Sequence, residues 1–325
     1  MKKLIKHLSL ILAVLMLTTV LISCAGNNET TAPDTSDIPT ENLPELPPYA
    51  VKGIEDAALI SGVGTPHALL TKVSGLEAAA AKGASEIMYP ASMTKVMTFI
   101  VAYENAKSLE DKTAISNEMK NKYPGASRIG IDIGDILTTE QLLYALILES
   151  DTDAALALAE YVSGSEEGFV KLMNAKCDEL GLVSTKFANV TGLHDENHYT
   201  TAAEMTSIFA YALGIDLFRT IVTTETYVTY LQYYKNGVLT DYRMTFQNTT
   251  ISPVKGRFRQ NKVALTFGNG AIIGGKTGYT DEAKYCLALL VRGKSGEEYI
   301  LITAKAQTPK DNADDSLYIC QNYAK

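Results

Sequence analysis

The chain of 325 residues contains no tryptophan, only four cysteines, and fewer bases than acids, with 29 Lys and Arg against 37 Asp and Glu. The formal net charge of -8 argues against nucleic acid as a partner, because phosphate binding needs a basic surface. Beyond Cys24 the cysteines are Cys177, Cys286 and Cys320, an odd number with no CxxC pair, so neither a disulfide framework nor a zinc cluster is indicated. Cys177 and Cys286 lie in apolar-patterned segments, where cysteine serves as a small buried hydrophobe. No GxSxG elbow occurs, which speaks against a hydrolase built on a histidine-based triad. No internal repeat is visible. What is present is a globular composition, 46% hydrophobic and 20% charged. The length suffices for one large domain or two closely packed subdomains.

The first 23 residues read as a secretory signal: Lys2, Lys3 and Lys6 precede an apolar stretch, and small residues follow. Leu21-Ile22-Ser23-Cys24 resembles the bacterial lipobox, which implies cleavage before Cys24 and lipid attachment to its thiol. Loss of three lysines and no acid takes the net charge from -8 to -11. Residues 25–48 hold five of the ten prolines, five acids and no base. Such a stretch cannot bury enough surface to fold and is expected to be an extended tether, so 24–50 is assigned as a lipid-anchored linker and 51–325 as the folded domain.

Within that domain HALLTKV reads as a strand and 92–106 as a helix, followed by a helix-rich region at about 107–215. Thr138 and Gln141 form a capping box before LLYALIL. Asp153 is expected to cap AALALAEYV, and Ser165 the next helix, which stops at Gly181. Thr201 and Glu204 suggest another box, with Gly214 closing that helix. The last third changes to β-branched and aromatic runs: TIVTTETYVTYLQYY, DYRMTFQNTT, AIIGG, YCLALLVRG and EYILITA, with a hairpin signal at GKSGEE. A helix from about Asp311 to Tyr323 closes the chain. The sum is an α+β protein with a mostly antiparallel sheet and a helical insertion.

Candidate chemistry begins at Ser92-Met93-Thr94-Lys95. Residues three apart on a helix share a face, so the lysine amine can reach the hydroxyl and, if neutral, take its proton. Burial or nearby cations lower a lysine pKa enough for that. With Ser92 first in the helix, its N–H is free to face a developing oxyanion. SxxK alone is weak evidence, since about one occurs per chain of this size by chance. Ser252-Pro253-Val254-Lys255 is such a match, with proline inside and glycine after, suggesting a turn. Lys276-Thr277-Gly278 follows a short apolar run; a lysine and a hydroxyl at a sheet edge can hold a carboxylate, and glycine permits close backbone approach. On a strand, Lys276 and Gly278 face one way and Thr277 the other. Ser150 sits in a polar break between two helices, as a proton relay or as a turn residue. His194 and His198 form HxxxH, but aspartate rather than glutamate follows the first histidine, and the pair falls in a loop, so no metal site is expected.

In this order SxxK, a central serine and KTG match the set shared by penicillin-binding proteins and class A β-lactamases. YPASMTKVMTFIVAYE, the long segment RIGIDIGDILTTEQLLYALILESDTDAALALAEYVSGSEEGFVKLMN, TGLHDENHYTTA and GGKTGYTDEAKYCLALL resemble the low-molecular-mass D-alanyl-D-alanine carboxypeptidases over about residues 66–323. The resemblance implies a β-lactamase/transpeptidase-like α+β fold, an antiparallel sheet flanked by helices with a mostly helical subdomain. It implies Ser92 as acylated nucleophile, Lys95 as its base and Ser150 as proton shuttle. Lys276 and Thr277 of the Lys276-Thr277-Gly278 motif would hold the carboxylate of a stem peptide ending in D-Ala-D-Ala. Backbone N–H groups of Ser92 and Tyr279 would form the oxyanion hole, and TGLHDENHYTTA a wall of the site. β-Lactams would trap Ser92, no metal or organic cofactor is implied, and the enzyme would work outside the cytoplasm, lipid-anchored to the bacterial cell membrane. The chain departs from the family at Thr152, where S-x-N has asparagine; threonine lacks the planar amide. That substitution keeps open a weakly active or non-catalytic peptidoglycan-binding homologue. A β-lactamase is a lesser alternative, because no counterpart of the class A deacylating glutamate is found.

Overall fold

The structure, a computed structural model, describes residues 49–325. The signal segment 1–23, Cys24 and the tether up to residue 48 lie outside them. The framework is a seven-stranded sheet in the order β1-β3-β2-β13-β12-β11-β10. Its strands are β1 (Ala58–Leu59), β2 (His67–Lys72), β3 (Ala78–Lys82), β10 (Thr266–Phe267), β11 (Gly270–Thr280), β12 (Lys284–Arg292) and β13 (Glu298–Ala306). Neighbours run antiparallel except β1 and β3. GKSGEE makes the β12–β13 hairpin, as its turn residues require.

Side chains alternate across this sheet and feed two cores. Ala288, Leu290, Ile300 and Ile302 join the larger core, whereas Leu287, Leu289, Val291 and Leu301 join the smaller. Both faces are therefore covered, which explains the nearly continuous apolar run in β12. The smaller core lies under the closing helix Pro309–Tyr323, whose Ile319 and Cys320 are fully buried.

The larger core is organised around helix α1 (Lys95–Asn105), in which all of residues 95–103 are buried. A helix apolar all round belongs at the centre of a protein. Around it pack α3 (Thr139–Leu148), α4 (Thr152–Ser163), α5 (Glu166–Glu179) and α6 (Ala202–Leu213); α2 is the short helix Asn117–Lys122. The region read as mostly helical also carries part of a four-stranded sheet. Strands β5 (Lys112–Ala114) and β6 (Ile136–Thr138) extend a ribbon of β8 (Thr226–Lys235) and β9 (Val238–Gln247). A two-stranded pair, β4 (Ile87–Met88) and β7 (Thr200–Thr201), completes the strands. Among the described residues no single helix is long and apolar enough to cross a membrane.

Most caps fall where the sequence put them. Thr138 and Gln141 form a complete box, Ser165 caps α5, and Gly214 ends α6. Three expectations need correction. The cap of α4 is Asp151, whose Oδ1 accepts from Ala154 N at 2.8 Å; Asp153 is fully buried between Lys120 and Arg128, at 2.9 and 2.7 Å. Thr201 caps α6, but Glu204 does not reciprocate: its carboxylate accepts from Ser184 N and Thr185 Oγ1. TIVTT is not strand but the end of helix α7 (Asp216–Thr223). Phe218, Ile221 and Val222 bury one face of that helix, and Phe218 meets Phe99 and Phe209 edge-on. Thr220 and Thr223 return their hydroxyls to carbonyls four residues back, at 2.9 Å each. Packing and back-bonding here override β-propensity.

Candidate active site

Pro90 leads into a 3₁₀ turn, Ala91–Thr94, that runs directly into α1. Ala91 adopts φ +48°, a strained value for a residue with a Cβ, immediately before Ser92. The helical register then places Lys95 Nζ 3.2 Å from Ser92 Oγ. Lys95 is 1% exposed, and its amine also donates to Thr191 O at 2.7 Å. Burial lowers its pKa from 10.5 to about 7, with Asp151 opposing the shift. A neutral amine at a serine hydroxyl is the arrangement a general base needs.

Thr191 belongs to the TGLHDENHYTTA segment, which seats against this turn. Asn189 Oδ1 accepts from Thr191 N, Thr191 Oγ1 and Gly192 N, at 3.1, 2.9 and 2.8 Å. Gly192 takes φ +84°, and a Cβ there would lie 1.9 Å from Ala91 O. Glycine is therefore required on both conformational and steric grounds. His198 is buried, with its ring 2.7 Å from Thr94 Oγ1 and Nδ1 accepting from Ala188 N. Burial lowers its pKa to about 4, so it is neutral at pH 7. His194 instead stands edge-on to Tyr89, 4.0 Å from Glu282. The HxxxH histidines lie in a loop, as expected, and serve separate contacts.

Ser150, between α3 and α4, has φ +60°, and its Oγ is buried without a hydrogen-bond partner. An orphan buried hydroxyl is costly and calls for an explanation, such as a substrate partner. The loop is held by Asp151, whose carboxylate accepts from Ala154 N and Ile129 N, and whose pKa burial raises to about 6. Thr152 is the first residue of α4, 1% exposed, with its N–H donating to Ser127 O at 3.0 Å.

The third wall is β11. Lys276 is fully buried, and Nζ donates to Thr277 O at 2.9 Å. Burial, then Lys95 and Arg257, hold its pKa well below the usual value. Thr277 Oγ1 lies 2.9 Å from Thr249 Oγ1. A Cβ on Gly278 would come within 3.0 Å of Pro90 O and 3.2 Å of Ala91 Cβ. This glycine thus lets the Ser92 turn dock against the strand, a constraint the sequence alone did not reveal. Tyr279 is 45% exposed at the mouth, its hydroxyl donating to Asp281.

Ser92, Lys95, Ser150, Thr152, Thr277, Gly278 and Tyr279 line one cleft of about 350 Å³. Lys276 lies behind that lining. Arg257, Thr249 and Glu149 also reach the cleft and were missed from the sequence. Arg257, first residue of the short helix α8 (Arg257–Gln260), donates to Cys286 O and Asn312 Oδ1 at 2.9 and 2.7 Å. Desolvation lowers its pKa to about 10, leaving it charged. The only hint was its basic neighbourhood, GRFRQ, which no spacing ties to KTG. Lys255 of the second SxxK match points away from its serine: Nζ binds Glu149, while Ser252 Oγ accepts from the Lys255 N–H in a turn.

Residues 66–308 match the family model described as D-alanyl-D-alanine carboxypeptidase. The chain is 35% identical over 234 residues to the D-alanyl-D-alanine carboxypeptidase DacF of Bacillus subtilis (strain 168), covering 71% of this chain and 54% of that protein. It is 32% identical over 205 residues to the D-alanyl-D-alanine carboxypeptidase of Streptomyces sp. (strain K15), covering 60% and 65%. The match thus spans between half and two thirds of each relative. The crystal structure of the Streptomyces K15 DD-transpeptidase superposes with a TM-score of 0.71 at 26% identity, over 81% of this chain and 98% of that one. Penicillin binding protein 5 from Haemophilus influenzae shares the fold, with a TM-score of 0.66 at 24% identity over 81% and 71%. With three quarters of its length inside that family model and the serine–lysine pair and KTG strand meeting in one cleft, this chain belongs to the D-alanyl-D-alanine carboxypeptidase family.

Proposed function

We propose that the protein is a serine DD-carboxypeptidase that removes the terminal D-alanine from peptidoglycan stem peptides. The observation that carries this is the buried Lys95 amine, 3.2 Å from Ser92 Oγ and facing Thr277 across one cleft. Ser92 Oγ attacks the penultimate D-alanine carbonyl as Lys95 takes its proton. The oxyanion faces the backbone N–H groups of Ser92 and Tyr279. Collapse breaks the peptide bond, and a proton relayed through Ser150 leaves with the D-alanine amine. Water then hydrolyses the ester, its proton passing to Lys95 and back to Ser92. Thr277 holds the substrate carboxylate, with the Arg257 guanidinium supplying positive charge at the same cleft and Lys276 buried behind it. β-Lactams, with the same carboxylate and a strained amide, would acylate Ser92.

Labelled penicillin applied to the full chain, with Ser92→Ala beside it, tests this. An adduct on the native protein alone is expected, and none on either protein would sink the nucleophile. Release of D-alanine from a D-Ala-D-Ala peptide then establishes turnover. A binder with little turnover is the second reading, favoured by Thr152 in place of asparagine; an adduct without D-alanine release would support it.

The signal segment and Cys24 support a site of action outside the cytoplasm, on a membrane held through lipid at Cys24 and a tether to residue 50. Mass spectrometry of the cellular protein should show an acylated N-terminal Cys24. An unmodified or uncleaved N-terminus would rule the anchor out.

A further inference from the structure

A second cavity, of about 410 Å³, lies between the loop 130–135 and the β8–β9 ribbon, within the size range of small-molecule sites. One wall is aromatic: Tyr233 and Tyr242 meet edge to face with centroids 5.6 Å apart, and Tyr234, 64% exposed, also lines the cavity. The opposite wall carries Asp132, Ile133 and Asp135. Its frame is fixed. Tyr242 Oη donates to Asp135 at 2.5 Å, the Asp132 N–H donates to the same carboxylate at 2.7 Å, and Ile115 holds the loop backbone from below. Gly130 and Gly134, at φ +84° and +88°, leave open space where side chains would stand.

Three polar groups in this frame are uncommitted. The Asp132 carboxylate and the hydroxyls of Tyr233 and Tyr234 make no hydrogen bond or ion pair among the described residues. An aromatic wall beside free hydroxyls and a carboxylate suits a ligand with an apolar face and a rim of donors and acceptors. A pyranose ring has that form. A compact cation would use the carboxylate and ring faces but leave the phenolic O–H donors without acceptors.

We propose that this cavity binds a saccharide, with tyrosine faces against the ring C–H groups and Asp132 accepting from its hydroxyl or amide groups. The same loop reaches both sites, since residues 125–127 line the Ser92 cleft and Gly130 with residues 132–135 the second cavity. The saccharide is then the N-acetylated glycan to which a stem peptide is attached. That identity rests on the function proposed above.

The test is titration of the full chain with tetra-N-acetylchitotetraose, followed by calorimetry or NMR, with penicillin acylation of Ser92 measured on the same samples. Saturable binding is expected. Tyr234→Ala and Asp132→Asn should each weaken it about tenfold or more and leave acylation unchanged; Tyr234 and Asp132 are exposed, so neither change threatens the fold. No binding by a protein that acylates normally would overturn this inference alone. Binding without any penicillin adduct would support the saccharide site and overturn the reading of the cleft. Saccharide binding untouched by both substitutions, or saturable binding of tetramethylammonium in a parallel titration with none of the saccharide, would also overturn it.

Discussion

Lys255 Nζ lies 2.9 and 3.0 Å from the two carboxylate oxygens of Glu149, the residue immediately before Ser150. Glu149 is 4% exposed and also accepts from Gln247 N at 2.7 Å, while Thr249 N donates to Leu148 O. The turn containing Ser252-Pro253-Val254-Lys255 therefore clamps the strained Ser150 backbone from outside the cleft. Lys255→Met leaves a buried carboxylate short of its charge partner, a costly state that relaxes by moving the chain. Penicillin acylation should slow about tenfold, and Glu149→Gln should do the same. The double variant should be no slower than either single one, as for residues acting through one contact. Additive losses would show that the pair does not act as a unit.

Acylation should depend on pH through Lys95. The competent form is the neutral amine, and its pKa is lowered to about 7. Below that value the neutral fraction falls tenfold per unit, so the acylation rate should climb up to about pH 7 and level off above it. Rate constants measured from about pH 5 to pH 9 give the profile. A rate that stays flat down to pH 5 would exclude Lys95 as the base. Lys95→Arg, which cannot deprotonate, should abolish acylation at every pH.

Thr152→Asn should raise the acylation rate. Thr152 is buried at the start of α4 and lines the cleft beside Ser150, where an amide can donate and accept at once. An unchanged or lower rate in a labelled-penicillin time course would mean that the site has adapted to threonine.

Gly192→Ala should damage both fold and activity. The added Cβ would sit 1.9 Å from Ala91 O at a backbone φ of +84°. Backbone strain alone costs about 1–3 kcal/mol, and relief of the clash must shift the peptide that precedes Ser92. Thermal unfolding should occur several degrees lower, and acylation should fall by about a hundredfold or more. Native acylation in the variant would show that the wall segment does not fix the nucleophile.

Much of the architecture was legible because it rests on local rules. The three-residue spacing across one helical turn, here 3₁₀, brings Lys95 to Ser92, the Thr138–Gln141 box starts α3, and GKSGEE turns β12 into β13. Where long-range contacts compete with local preference, the sequence misled. Asp153 has a capping side chain but is claimed by Lys120 and Arg128, and the β-branched TIVTT is folded into α7 by the Phe99 and Phe209 contacts of Phe218.

The sequence by itself determined which groups are candidates for the chemistry, since SxxK, the central serine and KTG each use side chains with few substitutes. It also favoured the first of two SxxK matches, since proline and glycine marked the second as a turn, and the tertiary structure supplied the physical contrast between them. Ser92 lies in a 3₁₀ turn that leads into the buried helix α1, where burial strips water from Lys95 and lowers its pKa, whereas Ser252 lies in a turn whose lysine reaches Glu149. Only the tertiary structure brought Arg257 from a distant short helix to the cleft and required Gly278 to be small so that Ala91 could approach. Those are relations between segments far apart in the chain. No local pattern encodes them, because they arise from how close two backbones can come.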